Sequence, residues 1–141
     1  MKNDAGDQQQ VGVTYKNLVE DIEVGKRLLL DDGKLALEVK EVDDEQIKCE
    51  VLIGGVLSDN KGINLQGGGL SAAALTAKDK KDLKHGVKIG ADYFAVSFVR
   101  IADDVLEARK LLAAQDCNAS ILAKFERAEA LENAESIIAV S

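Results

Sequence analysis

The sequence predicts a mixed α/β chain in which an antiparallel β region precedes a partial (β/α)8 TIM-type barrel of two to three βα units. Three observations predict it. Apolar residues between positions 11 and 57 recur at every second place, the period of a half-buried strand. Beyond Leu70 the period becomes helical, and two short, nearly continuous apolar runs at 93–99 and 121–125 flank one helical segment, the pattern of covered parallel strands joined by a crossover. Between the two regimes lies a loop, 58–69, rich in Gly and Asn, which places a domain boundary near Leu70 and gives domains of 1–70 and 71–141.

The elements follow in order. The first ten residues are polar and aperiodic and read as an arm. Residues 27–30 run into Asp32-Gly33, a dipeptide suited to the positive-φ turn of a hairpin. Leu35, Leu37 and Val39 alternate with Ala36, Glu38 and Lys40. After the polar turn Asp43, Asp44 and Glu45, the residues Ile47, Cys49 and Val51 share one face, completing an antiparallel meander. Thr76 and Asp79 then stand at capping-box spacing before a short helix with Leu83 and Val87 on its apolar side. The run 93–99 is a buried strand. Asp103 and Asp104 open the next helix, with Val105, Ala108, Leu111 and Leu112 as its stripe. The run 121–125 is a second buried strand, 127–135 a further helix, and 137–140 the onset of a third strand. So few βα units make an arc of a larger barrel, not a closed one.

Composition limits the function. Of 141 residues, 46% are hydrophobic and 30% charged, the balance of a globular chain. With 25 acids against 18 bases the net charge is −7, which repels a nucleic-acid backbone. No stretch approaches a membrane span and the start is too polar for a signal peptide, so a cytoplasmic location is expected, with neither nucleic acid nor membrane as partner. Cys49 and Cys117 are isolated from each other and from His, and read as buried thiols, not as a metal site or a disulfide. There is no proline, so turns depend on Gly, Asn and Asp.

Few residues carry candidate chemistry. Lys124 and Glu126 lie two apart at the end of a buried strand and so project to one side. At the carboxyl end of a barrel strand they point into the mouth where such barrels catalyse; the competing reading is an ion pair that ends a strand. Ser97 and Arg100 close the other strand in the same way, or anchor the loop that follows. Lys61, in the loop 60–64, offers an ammonium among backbone amides, an arrangement suited to phosphate as well as to a plain solvated lysine. Asp31 and Asp32 suit a turn. His85, on a lysine-rich helix, carries no assigned role.

Five segments taken together, LLLDDG at 28–33, NKGIN at 60–64, LTAKDKKDL at 75–83, ADYFAVSFVR at 91–100 and AKFERAE at 123–129, resemble the pyruvate kinase family in order and spacing. The resemblance implies a β lid inserted into a (β/α)8 barrel, with the active site between them. It implies transfer of a phosphoryl group from phosphoenolpyruvate to ADP, giving pyruvate and ATP, with Mg²⁺ and usually K⁺. On this resemblance Lys124 stabilises the phosphoryl group in transit, Glu126 binds Mg²⁺, Lys61 contacts the nucleotide phosphates, and Asp31 and Asp32 belong to the nucleotide side. The parent enzyme is then expected to be a cytoplasmic homotetramer. Two positions depart from the family pattern: Phe125 stands where an aliphatic residue is common, and Ala73 where proline is. The family's substrate arginine and K⁺ ligands belong to earlier strands, and an ARGD motif with a second metal carboxylate is expected after Ser141. The expectation is therefore a segment of the enzyme that lacks part of the active site and is inactive alone. The alternatives are a noncatalytic module that binds nucleotide weakly or serves association through its exposed strand edges, and a fragment that is itself active.

Overall fold

In a computed structural model that describes residues 6–141, the chain divides into two units, one ending at Ala72 and the other running from Ala73 to Ser141. The expected polar arm falls partly on residues 1–5, outside the described residues.

The first unit is built on helix α1 (Leu18–Asp21) and strands β1 (Arg27–Leu30), β2 (Leu35–Val42), β3 (Ile47–Ile53) and β4 (Ile63–Leu65). The four strands form one antiparallel sheet in the order β3-β2-β1-β4. The turn between β1 and β2 is made by three successive residues with positive φ, Asp31 (48°), Asp32 (57°) and Gly33 (83°), as the Asp-Gly dipeptide predicts. At the β2–β3 turn, the Asp43 carboxylate accepts from the amides of Glu45 and Gln46, which holds it below the usual carboxylate range.

Three expectations for this unit are corrected. Residues 11–26 do not continue the two-residue period; they contain α1, whose Leu18 is buried, with Ile22 buried four positions on. Within 58–69, expected to be irregular, β4 pairs with β1 in the register Leu28↔Leu65, Leu29↔Asn64, Leu30↔Ile63. Strict alternation also fails along β2 and β3. Register shifts at Ala36/Leu37 and Val39/Glu41 bury Ala36 along with Leu35 and Val39, while Val51, Leu52 and Ile53 are exposed. Leu18, Ile22, Leu28, Leu30, Leu35, Val39, Leu65 and Leu70 form the core of the unit.

The second unit holds α2 (Ala77–Lys88), β5 (Tyr93–Val96), α3 (Ala102–Ala113), β6 (Ser120–Ala123), α4 (Ala128–Glu132) and α5 (Ala134–Val140). Strands β5 and β6 pair in parallel from Tyr93↔Ser120 to Val96↔Ala123. The capping box at α2 forms as the spacing predicts: the Asp79 amide donates to Thr76 Oγ1 and the Thr76 amide to Asp79 Oδ2. At Gly86 the helix lies hard against β5, because a Cβ there would come within 2.5 Å of the Phe94 ring. Start of α3 is set by Asp104, whose carboxylate accepts from the Arg100 amide at 2.9 Å and from the Arg100 guanidinium at 3.2 and 3.0 Å. Burial alone would raise its pKa, but these donors outweigh it and hold the carboxyl below its usual range.

Three further corrections follow. Residues 137–140 are not the start of a strand but the last turn of α5. Ile137 is buried while Ile138 is exposed, so one face is covered, which suits a surface helix and not a strand enclosed on both sides. The helix expected at 127–135 is two short helices that meet at Asn133, whose side chain donates to the carbonyls of Glu129 and Arg100. The thiols are half-buried, not fully so; burial still pushes that of Cys49 up. Val96, Val99, Val105, Ala108, Leu112, Ile121, Ala130 and Ile137 lie at the centre of this unit's core.

Candidate active site

Each unit carries one cluster of candidate residues, and in each the cluster follows from strand register. In the first, the antiparallel pairing of β1 with β4 runs on past Leu30, so the Asp31 amide donates to the Gly62 carbonyl at 3.1 Å. That bond places Lys61 beside the turn, and its Nζ lies 3.0 Å from Asp31 Oδ1. Lys34 Nζ lies 3.0 Å from the other oxygen, Oδ2. The two lysines hold the Asp31 carboxyl below its usual range, with Lys34 the larger influence and Lys61 next. The sequence-predicted Lys61 and Asp31 are thus brought together. Asp32 is not drawn in: it is exposed and forms the turn with its φ of 57°.

In the second unit the site lies at the carboxyl ends of β5 and β6. The Lys124 amide donates to the Val96 carbonyl at 2.9 Å, extending the parallel ladder by one step beyond Ala123. Ser97 and Lys124 therefore leave the sheet side by side, and Lys124 Nζ donates to Ser97 Oγ at 3.2 Å. Two residues on, Glu126 shares the face of Lys124: its Oε1 lies 2.6 Å from the ammonium. Its other oxygen accepts from the Phe98 amide at 3.2 Å. Phe98 can aim that amide because its φ is 57°, a left-handed conformation that a bulky residue rarely adopts. Lys124 keeps 48% and Glu126 27% of its side-chain surface exposed, so both remain open to a ligand.

Arg100, for which the sequence leaves open a place at this strand end or an anchoring of the loop that follows, is bound to Asp104 at the start of α3, the second of the two. Sequence alone points to neither the Phe98 amide nor Lys34. A backbone donor leaves little trace in sequence, and a lysine three places from an aspartate looks like ordinary turn chemistry. An open depression of about 770 Å³, lined by Asp92, Tyr93, Asp116 and Asn118 among others, lies at the opposite, amino-terminal ends of β5 and β6.

The donor set bears on a metal. Among the described residues no group of three or more His, Cys, Asp or Glu could hold an ion. Glu126 offers one half-exposed carboxylate. That fits a hard cation such as Mg²⁺, which commonly keeps several waters and binds through one or two carboxylates plus substrate oxygens.

Charged groups at the carboxyl ends of parallel strands stand where α/β barrels carry their catalytic residues. The whole chain, residues 1–141, matches the family described as "Pyruvate kinase, barrel domain", and it belongs to that family. It is 52% identical over 132 residues to the pyruvate kinase of Buchnera aphidicola subsp. Acyrthosiphon pisum, covering 94% of this chain and 28% of that protein. It is 52% identical over 126 residues to pyruvate kinase II of Salmonella typhimurium, covering 89% and 26%. The Haemophilus influenzae pyruvate kinase is 49% identical over 132 residues, covering 94% and 28%. The chain thus spans little more than a quarter of the length of these relatives. Among the described residues no helix is long and apolar enough to cross a membrane.

Proposed function

We propose that this chain is a segment of a working pyruvate kinase: its first unit part of the lid, its second an arc of the (β/α)8 barrel, and the whole a cytoplasmic homotetramer. The activity proposed is transfer of a phosphoryl group from phosphoenolpyruvate to ADP, with Mg²⁺ and K⁺. The observation that carries this reading is the Lys124–Glu126 pair, 2.6 Å apart at the carboxyl ends of parallel strands.

In the reaction the bond between phosphorus and the enol oxygen breaks and one to a terminal ADP oxygen forms. The enolate left behind is protonated on carbon to give pyruvate. Such a transfer depends on positioning and on neutralising charge more than on covalent chemistry. Lys124 supplies a fixed positive charge for the phosphoryl oxygens, and Ser97 Oγ, already bonded to Nζ, keeps the ammonium at the strand end. Glu126, oriented by the Phe98 amide, would hold Mg²⁺. Bound there, Mg²⁺ would supply Lewis-acid neutralisation of the developing enolate. Lys61, at the edge of its sheet, neutralises nucleotide phosphate.

The test is a coupled assay with phosphoenolpyruvate, ADP, Mg²⁺ and K⁺ on the polypeptide that carries this segment, with Lys124→Met beside the wild type. The variant should turn over two to three orders of magnitude more slowly, as when one charge-stabilising donor is removed. Near-normal turnover would reject the role. The 141 residues alone should be inactive, and robust turnover by them would overturn that part of the reading.

A further inference from the structure

Lys61 and Lys34 divide one carboxylate between them, and the division is uneven. Asp31 retains 13% of its side-chain exposure, Lys61 35% and Lys34 69%. The carboxylate is the least solvated member of the cluster, while each of its oxygens has its own ammonium at 3.0 Å. Its position is also fixed by the backbone, through the positive φ of Asp31 and the amide bond to Gly62. Taking one ammonium from this carboxylate removes about the stabilisation of an exposed ion pair.

For Lys61 to serve a phosphate, it must give up some or all of its contact with Asp31. With Lys34 in place, Asp31 keeps one ammonium through that exchange. Without it, Asp31 would hold Lys61 more tightly, and the phosphate would compete against a stronger pair.

Resting on the reading of Lys61 as a nucleotide-phosphate contact, we infer that Lys34 is a positioning residue for nucleoside diphosphate: by staying on Asp31, it lowers the cost of handing Lys61 to the incoming phosphate. Lys34 does not touch the nucleotide and acts only through Asp31. The turn geometry explains why this residue can do so. Lys34 follows the three positive-φ residues that reverse the chain, and its backbone amide is bonded to the Asp31 carbonyl at 3.2 Å, so its side chain stays on the same turn as the carboxylate.

The experiment measures kcat and the KM for ADP, at saturating phosphoenolpyruvate, in the polypeptide that carries this segment. The variants are Lys61→Gln, Lys34→Gln, Lys34→Arg, Asp31→Asn and the double change Asp31→Asn with Lys34→Gln. Lys34→Gln should raise the KM for ADP about two- to fivefold, the range for an exposed ion pair, with the change in KM and not in kcat. Lys34→Arg should restore it. In the Asp31→Asn background, removing Lys34 should change nothing, because the carboxylate it compensates is gone. An equal rise in that background would mean that Lys34 meets the phosphate directly, and would overturn the inference. So would a Lys34→Gln enzyme with unchanged or lowered KM while Lys61→Gln raises it. If Lys61→Gln itself leaves the KM for ADP unchanged, the nucleotide reading of Lys61 fails first, and the inference falls with it.

Discussion

The two units place their charged groups by opposite strategies. In the first, an antiparallel ladder brings Lys61 to a turn whose largely covered carboxylate carries two lysines. In the second, the ends of a parallel pair are laced together by Ser97, Lys124, Glu126 and the Phe98 amide, so that each charge is held from two directions. On the proposed roles, the first arrangement exchanges partners and the second holds its groups in place for electrostatic catalysis, so that binding and chemistry are divided between the units.

The strongest way to break this comparison is to ask whether the two cores are separate. Leu18→Ala and Leu112→Ala each empty a fully buried site, one in each core, and each should cost about 2–5 kcal/mol. Hydrogen exchange should show lost protection in the strands of the substituted unit, with the other unit's strands still protected. Loss in both units from either change would mean one cooperative core.

Next in size is the contrast between lysines. Lys124→Met should lower kcat by about two to three orders of magnitude. Lys61→Gln should raise the KM for ADP about tenfold, as for a lost charged hydrogen bond, with a lesser effect on kcat. Equal losses of kcat from both would erase the division of labour.

The smallest effect concerns Asp104, whose carboxylate holds Arg100 at the start of α3. Its folded pKa lies below its unfolded value, so the fold favours the charged form. The stabilisation is complete above the unfolded pKa of about 3.9 and is lost as pH falls through the lower folded value. Asp104→Ala should cost about 0.5–2 kcal/mol at neutral pH, the range for a lost helix cap. In thermal unfolding, the gap between variant and wild type should shrink below about pH 4; a gap that stays constant to pH 3 would sink the assignment.

Much of this was legible in the sequence, for reasons that differ by element. The Asp-Gly turn, the Thr76 capping box and the pairing of Lys124 with Glu126 are local, and local chemistry decides them. Strand β4 leaves no signal because the three residues between Gly62 and Gln66 are too few to show a period; their structure comes from pairing with β1, far away in sequence. Residues 137–140 misled because four apolar residues suit a strand and a buried helical turn equally, and only packing against α3 decides. Leu18 and Ile22, four apart, did carry a helical signal within a region read as period two. At the candidate sites the residue types were legible, but their partners were not. Glu126 announces itself as a carboxylate, whereas the amide that orients it belongs to a phenylalanine.

Gly86 sets a limit on how this chain can be hardened. Exchanging a helical glycine for alanine ordinarily gains about 1 kcal/mol, whereas overfilling a packed contact costs about 1–3 kcal/mol. With the Phe94 ring 2.5 Å from where the new methyl would sit, the second term prevails. A routine thermostabilising swap therefore backfires at this position unless residue 94 shrinks in the same step.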